Sequence, residues 1–150
     1  MSWTIDTINQ ALQDSQFYQK YLVKPELRAA SLLLTFESYG DLPVILAVSD
    51  KQMLIEVALV ERDEFSNPAE IDYRLLTTHK YLPLSTIAIE KINGVDWYVL
   101  FGALSTDSNL ELIAEELFAL VQNTFSVIDA LEPHYKFNKQ IPQAEQGVMK

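Results

Sequence analysis

The chain has 150 residues, a formal charge of −10 and no cysteine, a length that suits one domain. With 49% of residues apolar and 21% charged, a wholly disordered chain is excluded, and the missing cysteines exclude a disulfide framework and a zinc–thiolate site. No apolar run approaches the roughly 20 residues that span a bilayer. The opening MSWTIDTINQ lacks the basic-then-apolar order of a secretory signal. A cytoplasmic protein without membrane insertion is expected.

The first element is a helix. Thr4 caps it, Asp6 sits in its first turn, and Ile5, Ile8 and Leu12 share one side. The period fails at Phe17 and Tyr18, which predicts an end between Asp14 and Gln16. Phe17, Tyr18, Tyr21 and Leu22 then form an aromatic cluster running into Pro25. Three strand-like runs follow. Ala30, Leu32, Leu34 and Phe36 alternate with Ser31, Thr35 and Glu37, with Leu33 the exception. Val44–Val48 is apolar on both faces, as in a central strand. Ile55, Val57 and Leu59 alternate again. Short polar turns at Tyr39-Gly40-Asp41 and Ser49-Asp50-Lys51 predict an antiparallel meander.

A second helix starts with Asn67 as its cap and Pro68 in its first position, and Pro83 bounds it. Asn93-Gly94 between Leu84–Ile92 and Val95–Leu104 reads as a type I′ hairpin, with Trp97, Tyr98 and Phe101 of its second strand assigned to core packing. A long last helix opens with a Ser108/Glu111 capping box and is stopped by Pro133. The fold class is therefore α+β: an α-β-β-β-α-β-β-α order, with helices packed on a five-stranded, mostly antiparallel sheet. Residues 1–135 form a single domain, and 136–150 read as a flexible polar tail.

On a projection of ~100° per residue, the last helix places Leu110 through Leu131 in an apolar arc of roughly 180°, wider than the ~100° one core needs. The surplus predicts a homodimer or partner surface, with Leu117, Leu120, Phe125, Val127 and Ile128 as its candidates. Glu111, Glu115, Glu116 and Asp129 project on the other side as an acidic docking face. Between Lys91 and Lys136 there are seven acids and no Lys or Arg, a distribution that repels nucleic acid and suits a basic or amphipathic protein partner.

No chemistry-bearing motif emerges. His79 and His134 are isolated, no serine sits in a nucleophile elbow, and Gly40, Gly94, Gly102 and Gly147 form no phosphate cradle. No catalytic residue, metal or cofactor is expected. The reading is a non-enzymatic interaction module, adaptor or chaperone-like. A small-ligand-binding regulatory domain is the alternative, ahead of an enzyme of unknown type.

Residues 41–132 resemble the YjfI-like family, an uncharacterised bacterial domain of unknown function. The resemblance runs through Asp41-Leu42-Pro43, Ser49-Asp50-Lys51-Gln52-Met53-Leu54 and Leu82-Pro83-Leu84-Ser85. It is most specific in Tyr98-Val99-Leu100-Phe101-Gly102-Ala103-Leu104-Ser105 and the acidic helix through Asn123-Thr124. Members of that family are often encoded near relatives of PspA, a membrane-stress coat protein. The resemblance therefore implies a PspA-like protein as a partner, and it implies no activity and no catalytic residues. The element order is also similar to type III secretion chaperones and YbjN-like proteins. That likeness implies a dimer that holds extended partner segments.

Overall fold

A computed structural model describes residues 2–136. Helix α1 (Ile5–Asp14) begins as expected: Thr4 Oγ1 accepts from the Thr7 amide, and Thr7 Oγ1 accepts from the Thr4 amide in return. The cluster after it forms a one-turn helix, α2 (Phe17–Tyr21), entered and left through left-handed residues Gln16 and Leu22. That second reversal turns Val23–Leu27 into a strand, β1, which the sequence pattern hides. Only Val23 is buried there, and Pro25 is compatible with the outer edge of a sheet but not with its middle.

The sheet accordingly has six strands, not five. Strands β2 (Leu32–Phe36), β3 (Leu42–Val48) and β4 (Gln52–Glu61) form the expected meander, and β5 (Thr86–Ile92) and β6 (Val95–Ser105) the expected hairpin. All pairings are antiparallel, in the spatial order β1-β2-β3-β4-β6-β5. Asn93 and Gly94 both have positive φ, 52° and 82°, as a type I′ turn requires. Helix α3 (Pro68–Thr78) takes its cap from Asn67, whose side chain accepts from the Glu70 amide. Helix α4 (Leu110–Leu131) starts one residue later than Ser108 suggests: Asn109 is the cap, through Oδ1 to the Leu112 amide at 2.9 Å. The Ser108 carbonyl instead accepts from the Trp3 indole at 2.6 Å, pinning the chain's start to the helix.

Strand register divides the sheet into two unlike faces. Leu32, Leu34, Val44, Leu46, Ile55, Val57 and Leu100 point to one side, where they meet Ile8 and Leu12 of α1, Ile71 and Leu75 of α3, and the inner side of α4. This is the core. The expected tail lies outside the described residues beyond Lys136, whose amide donates to the Glu64 carbonyl at 2.7 Å.

Candidate functional site

The apolar arc of α4 is mostly spent inside the subunit. Leu117, Leu120 and Val127, three of the five candidate contact residues, are buried in the core; Ile128 is half-buried and Phe125 exposed. The arc is wider than one sheet requires because α1 and α2 also pack along this helix, as the Tyr21–Phe118 ring contact shows at 5.2 Å. Of the acidic candidates, Glu111, Glu115 and Asp129 are exposed, but Glu116 is buried at 8% relative exposure. The buried stripe is rotated toward Glu116, which the projection places on the acidic side, and it takes in Asn123 as well.

Both polar residues find particular surroundings. Asn123 Nδ2 donates to the Pro83 carbonyl at 2.8 Å and to Ser85 Oγ at 2.9 Å, docking α4 on the segment that enters β5. Glu116 lies flat against Gly102 of β6, where a Cβ would collide with its Oε2 and come within 3.0 Å of its Cδ. Its carboxyl has no hydrogen-bond or ion-pair partner among the described residues. Burial, reinforced by Glu115, holds that carboxyl above the usual range. Three of the segments that carry the family resemblance, Leu82–Ser85, Tyr98–Ser105 and the acidic helix, thus meet in one seam between α4 and the β5–β6 hairpin.

A second polar centre joins the loop after β4, α3 and β6. Arg62 grips Asp72 with two donors, Nε to Oδ1 at 3.0 Å and Nη2 to Oδ2 at 2.6 Å, and the Tyr98 hydroxyl donates to Oδ1 at 2.5 Å. Arg62 draws the Asp72 carboxyl below its ordinary value, while burial pushes the Tyr98 hydroxyl up. All three groups satisfy one another, so this arrangement serves as a brace. His79 is likewise structural, its Nδ1 accepting from the Ile87 amide at 3.1 Å. The carboxylates of half-buried Glu61 and exposed Asp63 and Glu64 lie within 4.8 Å of one another, and nothing beside them marks an ion site.

The surface that sequence reasoning missed is the other side of the sheet. Leu33, Ile45, Leu54, Trp97, Val99 and Phe101 all point there by register, and none joins the core cluster. No described helix packs on this face. Val99 is 3% exposed, and the other five are half-buried. Trp97 and Phe101, assigned to the core from sequence, belong to this open face, whereas Tyr98 between them is the core residue. The signal was present as apolarity at both parities of the middle strands. Such a run fits a strand covered on both sides, but one layer of helices covers only one of them.

Clefts are modest. One of about 130 Å³ lies between α3 and β5, lined by Asp72, Leu75, Leu76, Ile87, Ile89 and Tyr98 among others. A more open one of about 530 Å³ is lined by Gln13, Asp14, Gln16, Tyr18, Gln19 and Pro25. The first is below the ~300–1,000 Å³ of small-molecule sites, and the second lacks their apolar walls.

Comparison with known proteins places this geometry. The model of a family described as "Uncharacterized protein conserved in bacteria (DUF2170)" matches residues 2–135. The uncharacterized protein YjfI of Escherichia coli strain K12 is 34% identical over 104 residues, 69% of this chain and 78% of that one. The crystal structure of YbjN from E. coli superposes with a TM-score of 0.67 at 13% identity, covering 87% of this chain and 92% of YbjN. The structure of the ExsC–ExsE complex gives 0.55 at 13% identity, with coverage of 96% and 99%. The chain belongs to the DUF2170 family, and it has the α+β fold of YbjN and of the ExsC–ExsE structure. Among the described residues, no helix is long and apolar enough to cross a membrane.

Proposed function

We propose that this DUF2170 protein is a non-enzymatic interaction module, an adaptor or chaperone-like holder of a protein partner, and that it docks the partner on the open sheet face. The observation that carries this reading is the uncovered apolar surface of Leu33, Ile45, Leu54, Trp97 and Phe101. Contiguous apolar surface of that kind on a soluble fold marks a contact site more often than it persists bare. A protein in a complex is also the form in which ExsC, a neighbour in fold, was solved. The family resemblance makes a PspA-like protein the first partner to test. Exposed Glu111, Glu115 and Asp129 supply a negative field for its approach.

A photo-crosslinking side chain placed at Phe101 in cells is the test, with the exposed helix position Ala69 as its control. A discrete protein adduct at 101 and none at 69 supports the reading, and mass spectrometry of the adduct identifies the partner. No protein adduct at 101, with a metabolite co-purifying, would favour the ligand-binding alternative. A homodimer through α4 is part of the proposal, reduced to Phe125 and Ile128 as its contacts. Light scattering should then give twice the chain mass, and Phe125→Lys should halve it.

A further inference from the structure

The open face is apolar, yet across β2 to β6 the charges it does carry are all of one sign. On the side of β2 to β6 that faces away from the helices, register places Glu56 and Glu61 on β4 and Glu90 on β5, and no Lys or Arg. Lys91, the nearest base in sequence, has the opposite parity and pairs with Asp96 at 3.1 Å on the helix side. Lys24 lies beyond, on the edge strand, paired with Glu37 at 3.0 Å.

Glu56 and Glu90 flank β6 on the same face, Glu56 opposite Phe101 and Glu90 opposite Trp97, with Val99 on the strand between them. Burial, together with the neighbouring Glu90, raises the Glu56 carboxyl above its ordinary value. Two carboxyls that face each other across an apolar strand repel, and a cation between them relieves that repulsion. Beside them the Trp97 indole N–H has no hydrogen-bond partner among the described residues. An aromatic ring with a free donor, next to a half-buried Glu56 and an exposed Glu90, is the composition of an interface anchor.

We propose that the open face receives an amphipathic segment of another protein, whose apolar side chains cover Leu54, Trp97 and Phe101 and whose lysine or arginine is seated between Glu56 and Glu90. This rests on the interaction-module reading above and names the chemistry of its partner. Charge complementarity selects this occupant over a second copy of the chain. A two-fold contact through the β4–β6 part of this face brings acids toward acids, and the face's one base, Lys24 on the far edge strand, is already paired with Glu37.

The test uses three synthetic 14-residue peptides of leucine alternating with lysine, glutamine or glutamate. Binding to the full chain is followed through the Trp97 indole resonance. The Leu/Lys peptide should bind at least about tenfold tighter than Leu/Gln, with Leu/Glu weakest. Glu56→Gln with Glu90→Gln should remove about tenfold from Leu/Lys binding and leave Leu/Gln unchanged. Glu111→Gln with Glu115→Gln, an equal loss of charge on exposed α4, should cost less than about threefold. Equal binding of Leu/Lys and Leu/Gln overturns the cation seat while leaving apolar docking intact. Equal losses from the two double variants overturn it also, by showing only bulk charge. Failure of every peptide to shift Trp97, with the oligomeric state unaffected by Phe101→Glu, overturns the docking reading itself. Failure with the chain dimeric, and the dimer dissociated by Phe101→Glu, assigns the face to a second copy and overturns the proposal.

Discussion

Glu116 is a buried carboxyl whose contact surface is the backbone of Gly102, and neither residue makes sense without the other. Gly102→Ala puts a methyl where that carboxyl lies, and overpacking of this kind costs about 1–3 kcal/mol. In a Glu116→Ala background the space is vacated, so the same glycine change should cost under about 0.5 kcal/mol; urea denaturation of the four chains measures the coupling. The pH dependence has a definite sign. A carboxyl raised in the folded state binds its proton more tightly there than in the unfolded chain. Stability is therefore favoured by acid and declines as pH rises from near the ordinary 4.5 through the folded value. Glu116→Gln should remove that decline, leaving the variant more stable than the parent at neutral pH and equal to it or weaker near pH 4. The sequence does not show this pair, since a helical projection sends every glutamate to solvent. Burial here depends on a glycine on another element, fourteen positions away.

Elements were legible where their ends carry chemistry and obscure where only tertiary position decides. Thr4, Asn67 and Asn93-Gly94 each act locally, and each sits where the pattern places it. Strand β1 has no alternation, and it exists because α2 ends in a left-handed residue and β2 offers an edge. The brace of Arg62, Asp72 and Tyr98 was equally invisible, being assembled from a loop, a helix and a strand. It locks α3 to the sheet, and its loss has a calculable consequence. Asp72→Ala leaves Arg62 unpaired and the buried Tyr98 hydroxyl with only the Pro68 carbonyl at 3.3 Å. A cost of about 2 kcal/mol follows for these part-exposed groups. Because pairing lowers the Asp72 carboxyl, its contribution is present above the ordinary value of 3.8 and vanishes as pH falls through the folded one. Denaturation midpoints of parent and variant should therefore differ at pH 7 and converge in acid.

At the scale of the molecule, one layer of helices covers one face of a six-stranded sheet, and two separate sets of acids remain. Composition and charge announced an acidic partner-binding surface; they assigned it to α4 because the apolarity of that helix was easier to see than the second parity of the strands. The two acidic sets are expected to act at different stages of association. Glu111, Glu115 and Asp129 stand exposed on α4, away from the apolar face, where they add to a field but are not desolvated by a partner. Such charges alter encounter, and their effect is screened within about 8–10 Å at physiological salt. Glu56 and Glu90 lie within the apolar face, so a cation bound there is held in contact and lost only on dissociation. Stopped-flow kinetics with the Leu/Lys peptide should separate them. Glu111→Gln with Glu115→Gln should lower the association rate, with a shallower salt dependence from 50 to about 500 mM, and leave dissociation unchanged. Glu56→Gln with Glu90→Gln should raise the dissociation rate about tenfold with a smaller change in association, because truncating a buried charge contact acts chiefly on the bound state. If both variants changed only association, the acids on the sheet would belong to the general field, and the apolar side chains alone would hold the partner.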